Sequence, residues 1–302
     1  MNPQDFNQLV ELAMRKPGLT TIRPVIEKEI LHYDIFQALD VAGLLKGLVF
    51  QGGTSLRLCR GSQRFSEDLD FAGGRDFVAS NMANIRDCLE DHIGSRYGLR
   101  VEVTERPHQE RDGVKVDKWQ VSVETAPGNR HMPRQKIRLE VAAVPAYTSE
   151  LLPLRMNYEF LEGYPSVLVL AETVSEVMAD KVLAFPAALG TRVRHRDIWD
   201  LAWLDQQGAS LNPGMVLRKV SDYAVENYEE LLDGAISQIP EIVRSKPFKD
   251  QMQRFIDRNT FTARLGDERF LDYLTSTVSG IFGKMKTSLS LSGPTTPDEF
   301  QI

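Results

Sequence analysis

Apolar residues recur at helical spacing at both ends of the chain and gather into short strand-like blocks between them. Phe6, Leu9, Val10, Leu12 and Ala13 predict a helix over 5–15 that Lys16-Pro17-Gly18 ends. Ile26, Ile30, Leu31, Ile35, Phe36 and Leu39 predict a second from about Thr21 to Ala42. Pro24 falls in its first turn, where a missing N–H costs least. Leu48–Phe50 is a short buried strand, Gly52-Gly53 a turn, and Ser55–Arg60 a short helix closed by Gly61. Leu69–Ala72 is a second strand, and Phe77, Met82, Ile85, Leu89 and Ile93 predict a helix over 76–94. β-rich segments follow at Leu99–Thr104, Trp119–Glu124 and Ile137–Val144. The polar stretch between the first two, with its Asp112-Gly113 turn signal, is a hairpin or exposed loop.

Leu151–Tyr164 has no regular period, and Val167–Leu170 is a short apolar run. From Thr173 the pattern is wholly helical. Thr173-Val174-Ser175-Glu176 fits a capping box ahead of Val177–Ala184. Ile198–Leu204 runs on to Gly208, and further helices are expected at about 213–232, 247–258 and 267–283. The reading is an α+β chain: a mixed-sheet domain with N-terminal helices over 1–170, a helical domain over 171–285, and a flexible Ser/Pro/Thr-rich tail over 286–302.

At 302 residues, 42% of them hydrophobic, the chain can bury a substantial core. No apolar window is long enough to span a membrane. The N-terminus carries early acids and no apolar h-region, so no secretory signal is expected. Cys59 and Cys88 show neither metal-ligand spacing nor a disulfide framework, which points to the cytoplasm. A net charge of −6 argues against coating nucleic acid through bulk electrostatics but leaves room for a local groove. Basic residues do gather at Arg130, His131, Arg134, Lys136 and Arg138, and at Arg192, Arg194, His195 and Arg196. A solvated face accounts for either cluster, taken alone, as well as a groove does.

Chemistry concentrates between Val49 and Phe71. Two glycines let backbone approach a ligand closely, and N–H groups at a helix start bind phosphate oxygens. Thr54 and Ser55 add hydroxyls, although ordinary turns use the same residues. Asp68 and Asp70 are spaced i, i+2, so on a strand both side chains share a face. Two such carboxylates repel unless a divalent cation joins them, and Mg²⁺ typically takes one or two carboxylates plus substrate phosphates. The five histidines show no zinc-ligand spacing. Trp199 and Trp203, four residues apart, are expected to pack rather than to stack on bases.

Together these residues resemble the polymerase-beta-type nucleotidyltransferases: an apolar strand, Gly52-Gly53, a short helix, then Asp68-x-Asp70 on the next strand. GGTSLR followed by Arg64-Phe65-Ser66-Glu67-Asp68-Leu69-Asp70-Phe71 is similar, more narrowly, to the AbiEii/AbiGii-type nucleotidyltransferase toxins. The likeness continues through Ala179-Asp180-Lys181 and Arg196-Asp197-Ile198-Trp199-Asp200-Leu201, so it covers about residues 25–205. It implies a polymerase-beta-like core, a mixed sheet with flanking helices, and an α-helical C-terminal domain that completes the cleft. It also implies an NTP-dependent, pyrophosphate-releasing enzyme that uses Mg²⁺ or Mn²⁺.

By that resemblance Asp68, Asp70, Lys181 and Asp200 are the catalytic residues. Gly52, Gly53, Thr54, Ser55, Arg64, Ser66 and Lys136 would bind the nucleotide. Metal would be held by Asp68, Asp70 and a third carboxylate, Glu140, where the superfamily often has Asp. Strand alternation puts Glu140, Arg138 and Lys136 on one face. Lys181 would contact the phosphates and Asp200 would orient Lys181 or the acceptor, whereas Asp197, paired with Arg194 or Arg196, would be structural. The implied acceptor is RNA, specifically tRNA. The implied setting is a bacterial toxin–antitoxin or abortive-infection system, a phage defence with a cognate winged-helix DNA-binding antitoxin. Transfer to a small molecule or protein, and a catalytically inactive nucleotide-binding module, are the rival readings.

Overall fold

The computed structural model describes residues 5–111, 114–128 and 133–291. The first four residues, the Asp112-Gly113 turn, Arg130 and His131 of the first basic cluster, and residues 292–302 of the tail lie outside them. The N-terminal apolar stripes fold as helices α1 (Phe6–Met14) and α2 (Arg23–Val41). The Asp5 carboxylate accepts from Gln8 N to cap α1, and Pro24 sits in the first turn of α2. Strand β1 (Val49–Gln51) then runs directly into α3 (Gly52–Arg60), which returns to β2 (Leu69–Ala72).

The helix predicted from residue 76 begins only with α4 (Ile85–Tyr97). Asn81 Oδ1 accepts from Val78 N and tightens the preceding turn. A Cβ on Gly73 would stand 2.6 Å from the Phe77 ring, so Phe77 is packed against the end of β2 rather than on a helix. The polar stretch after Thr104 forms a long hairpin, β3 (Val101–Arg111) with β4 (Val114–Val123), followed by β5 (Gln135–Ala142). β6 (Ser149–Pro153) pairs antiparallel with β7 (Leu168–Glu172). Sequence periodicity misses β6 because it buries almost no face; Leu151 is 61% exposed.

The seven strands form one mixed sheet in the order β3-β4-β5-β2-β1-β7-β6. β2 lies at its centre, antiparallel to β1 and parallel to β5, and β1 is parallel to β7. Asp70 thereby stands opposite Gln51 on one side and Glu140 on the other. One face is sealed by α1, α2 and α4 over a core centred on Phe36, Phe50 and Phe71, whose rings meet at 4.8–6.0 Å.

The C-terminal half is helical: α5 (Val174–Ala188), α6 (His195–Gln206), α7 (Pro213–Asp222), α8 (Tyr228–Arg244), α9 (Lys246–Gln253), α10 (Arg258–Leu265) and α11 (Glu268–Leu291). The single helix expected over 213–232 is two, because Ala224 and Asn227 adopt positive φ between α7 and α8. That over 247–258 divides as well, where Asp257 caps α10 by accepting from Thr260 N. α11 extends to Leu291, into the predicted tail. These helices enclose a second core that includes Phe185 and Phe282, their rings 5.7 Å apart. Leu56 of α3 belongs to this second core, so α3 bridges sheet and helices. Among the described residues no helix is long and apolar enough to cross a membrane.

Candidate active site

The two glycines are the first turn of α3, not a separate loop. Gly52 has φ +77°, which turns strand into helix without an intervening residue. A Cβ there would lie 3.1 Å from Asp70 Oδ2. At Gly53 it would lie 2.2 Å from Arg64 Nη2, so neither position has room for a side chain. The Ser55 hydroxyl donates to the Gly52 carbonyl at 2.8 Å and the Thr54 hydroxyl to the Asp68 carbonyl; both side chains are buried. These hydroxyls brace the turn. The donors left for a phosphate are the unsatisfied backbone N–H groups of the first turn of α3. Because Arg64 is locked below, Gly53→Ala is expected to cost about 1–3 kcal/mol by urea denaturation, the usual penalty for overpacking a tight site.

The predicted carboxylates lie together at one end of β2, but they are not equivalent. Asp68 Oδ2 accepts from Arg138 Nη2 at 2.6 Å, and its other oxygen accepts from Arg138 N at 3.3 Å. Burial works to raise the Asp68 pKa, yet this double contact with Arg138 holds it below the ordinary value. Glu140 has Lys118 Nζ at 3.5 Å and Arg138 Nη1 at 4.0 Å. Asp70 has no hydrogen-bond or ion-pair partner among the described residues. Burial, then the neighbouring charges of Glu140 and Asp68, push its carboxyl up to about 7.

That environment suits a divalent cation, which would replace the missing countercharge between Asp70 and Glu140. The full three-carboxylate set is not assembled. No group of three or more His, Cys, Asp or Glu side chains among the described residues is arranged to hold a metal. Arg138, whose side chain is 55% exposed, occupies Asp68 where a cation would bind. The sequence names Arg138 but does not place it on Asp68, because that contact depends on the register of β2 against β5.

Beneath the first turn of α3 lies a buried ionic chain. Arg64 forks onto Asp200, with Nε at 2.7 Å and Nη2 at 2.6 Å from its two oxygens. Its remaining Nη1 donates to the Phe65 carbonyl at 2.7 Å. Lys181 Nζ stands 2.7 Å from Asp200 Oδ2 and 2.9 Å from Asp197 Oδ1, and Asp197 in turn pairs with Arg194. Burial opposes ionisation of both aspartates, but Arg194 and Lys181 hold Asp197 well below the usual carboxylate range. Arg64 and Lys181 likewise keep Asp200 low. Three cations against two carboxylates leave the chain with one net positive charge. Asp197, expected to serve Arg194 or Arg196, is equally a partner of Lys181. The Arg64 side chain is spent on Asp200 rather than open to a ligand.

Ser66 is buried beside this chain, and Lys136 is exposed on β5. The basic clusters are thinner than their composition. Arg134 pairs with Glu102 and Glu124, Arg138 with Asp68, and Arg194 with Asp197, while Arg196 lies 4.7 Å over the Phe255 ring. A second buried cluster escaped the sequence reading. Lys219 of α7 meets Asp180 at 2.6 Å, Glu176 at 2.9 Å and Glu172 at 3.4 Å. The capping-box glutamate, Glu176, is thus only half used at its helix end: Thr173 accepts from Glu176 N, but the Glu176 carboxylate serves Tyr147 N, Thr148 and Lys219. The cluster ties α7 and α5 to the end of β7.

MenT4, a nucleotidyltransferase toxin of Mycobacterium tuberculosis H37Rv, superposes with a TM-score of 0.54 at 18% identity, over 95% of this chain and 99% of that one. JHP933 of Helicobacter pylori matches at 0.44 and 18% identity, over 89% of this chain and 96% of that one. No curated relative matches the chain. The MenT4 likeness establishes the fold: a mixed sheet with flanking helices and a helical C-terminal region. The profile of nucleotidyl transferase AbiEii toxins of type IV toxin–antitoxin systems matches residues 34–276, so Gly52 through Asp200 fall within it. By that match the chain belongs to the AbiEii family of nucleotidyltransferase toxins.

Proposed function

We propose that this nucleotidyltransferase moves a nucleotide from an NTP to an RNA acceptor, tRNA, with Mg²⁺ bound at Asp70 and Glu140. The observation that carries the reading is Asp70: a carboxylate without a partner among the described residues, raised by burial and then by its acidic neighbours, at the foot of the Gly52–Gly53 helix start. The backbone N–H groups of that helix start would hold the triphosphate. Asp70 and Glu140 would hold the cation, joined by Asp68 once Arg138 leaves it. The chemistry such a cation supplies is neutralisation of phosphate charge and a lower pKa for the acceptor hydroxyl. The net charge of the Arg64–Asp200–Lys181–Asp197–Arg194 chain would stabilise the phosphates from below as the acceptor oxygen attacks and pyrophosphate departs. Arg138, released from Asp68, would be free to meet phosphate. Exposed Lys136 and Arg192 flank the cleft residues in sequence and would meet a polyanionic acceptor.

Membership of a toxin–antitoxin family implies an antitoxin partner. A winged-helix DNA-binding protein encoded beside this gene would fit the role, and the neighbouring reading frame tests that directly. The internal pairing of most basic side chains favours a second reading, transfer to a small molecule or a protein. Incubation with labelled NTPs, Mg²⁺ and each acceptor class in turn separates the two. Label on tRNA that disappears with Asp70→Ala is expected; label on another class alone overturns the tRNA assignment. Arg138→Ala is expected to tighten Mn²⁺ binding several-fold in the absence of nucleotide, read by electron paramagnetic resonance, because it removes the cation competing for Asp68. Unchanged or weaker binding would argue that Asp68 is not a ligand.

A further inference from the structure

On the far side of α6 from Asp197 and Asp200 lies a cavity of about 240 Å³ that the transfer chemistry does not use. Trp199 and Trp203 sit one turn apart on that helix and line it with Phe270 and Tyr273 of α11. The Trp199 and Phe270 rings are 5.7 Å apart, and those of Phe270 and Tyr273 are 5.9 Å apart. Arg264 lies over this aromatic surface, 5.3 Å from the Phe270 ring and 5.9 Å from that of Trp199, with no carboxylate partner among the described residues. Arg60 closes the opposite wall; its Nη2 is engaged by Glu150 and the Glu172 carbonyl, but its buried Nε has no acceptor. No acidic side chain lines the cavity, although the chain as a whole carries a charge of −6.

Flat rings, two guanidinium groups and the exposed amide of Gln63 are complementary to one kind of ligand: a planar heterocycle bearing an anion. The cavity is smaller than the ~300–1,000 Å³ typical of sites for drug-sized molecules, so it suits one ring system rather than a whole dinucleotide. We propose that it is a second nucleotide site, which stacks one nucleobase on the Trp203 side of α6 and holds its phosphate with Arg264 and Arg60. Trp203 packs against the helical core, as its spacing predicts, but is only half buried, so part of it also faces the cavity. The site is joined to the catalytic chain through the chain itself: Gly61 and Gln63 line the cavity, and Arg64 follows at once in the fork on Asp200. The nucleotide could be a free mononucleotide or one unit of single-stranded RNA.

Photo-crosslinking with azido-adenosine monophosphate, followed by peptide mapping, tests the assignment on the full chain. Label is expected on peptides covering 199–207 or 264–274, and it should fall about tenfold with Trp203→Leu, the scale of losing one stacked base. Arg264→Glu, checked for a native urea midpoint because Arg264 is half buried over the Trp199 and Phe270 rings, is expected to weaken labelling to a similar degree. Displacement at lower concentration by single-stranded oligoadenylate than by AMP identifies RNA as the source; equal displacement identifies the free nucleotide. Label confined to 49–56, 68–70 and 136–140, or unmoved by both variants, overturns the site. Asp70→Asn should retain the label here while losing transfer, so failure of the proposed activity would not be mistaken for failure of this site.

Discussion

Asp70→Asn is expected to lower nucleotide transfer about a thousandfold, the upper end of what removing one preorganised electrostatic group costs, and yet to make the protein more stable above neutral pH. Both effects have one cause. The unfolded chain ionises Asp70 at its ordinary 3.8, whereas burial, Glu140 and Asp68 push the folded value up to about 7. Between those values the folded protein keeps a proton that the unfolded chain has lost, so this contribution to stability falls as pH rises. It is fully present below 3.8 and gone once pH passes the folded value. Asparagine carries no charge to repel its neighbours. In chelator at pH 8 the variant should gain roughly 1–3 kcal/mol over wild type, discounted for residual hydration; at pH 4 the two should nearly coincide. Added Mg²⁺ should close the gap by stabilising wild type alone. Equal urea midpoints at pH 8 without metal would show that Asp70 is not held against its neighbours.

The second large effect is an asymmetry within the buried ionic chain. Asp200→Ala strips the Arg64 fork and one side of Lys181 of their carboxylate at a site that is almost fully buried. A loss of about 3–5 kcal/mol is expected, as for other buried pairs broken from one side. Lys181→Met is milder, because Asp200 keeps Arg64 and Asp197 keeps Arg194. Its stability should stay within about 1–2 kcal/mol of wild type, since each carboxylate keeps an arginine partner and no buried charge is left uncompensated. Its activity should not follow: the chain drops from one net positive charge to none, and transfer should fall by about 10²–10³. Urea denaturation and labelled-nucleotide assays on the two variants decide this. A folded Lys181→Met protein with full activity would remove the ionic chain from the proposed mechanism.

Local patterns carried the parts of this molecule that are made locally. The strand, double glycine and Asp-x-Asp of residues 48–72 lie within one supersecondary unit, and their order in sequence is nearly their order in space. Alternation likewise placed Lys136, Arg138 and Glu140 on one face of β5. What stayed hidden depends on register or on distant partners. Arg138 meets Asp68 only because β5 is parallel to β2, and Arg64 meets Asp200 across 136 residues of chain. Thr54 and Ser55 looked like ligand hydroxyls because their acceptors, the carbonyls of Asp68 and Gly52, are set by the turn they brace. β6 lacks a buried face and therefore any alternation, and the break after α7 rests on positive φ at Ala224 and Asn227, which no periodicity records.

The segment that holds Arg64 is also where the two halves of the chain are tied. Phe65 N donates to the Phe255 carbonyl at 2.7 Å, and Phe255 buries its ring in the sheet-side core rather than among the helices around it. Close by, Arg258 N donates to the Gly18 carbonyl at 3.0 Å, so the start of α10 rests on the loop after α1. Protein synthesis delivers the chain from the N-terminus. A growing polypeptide that has released only residues 1–170 holds every candidate metal carboxylate but neither Lys181 nor Asp200, and Arg64 has no acid to lock against. The tie at Phe255 comes later still. The cleft is therefore complete only once the chain through Phe255 and Arg258 has been made and has folded back onto the sheet-side half.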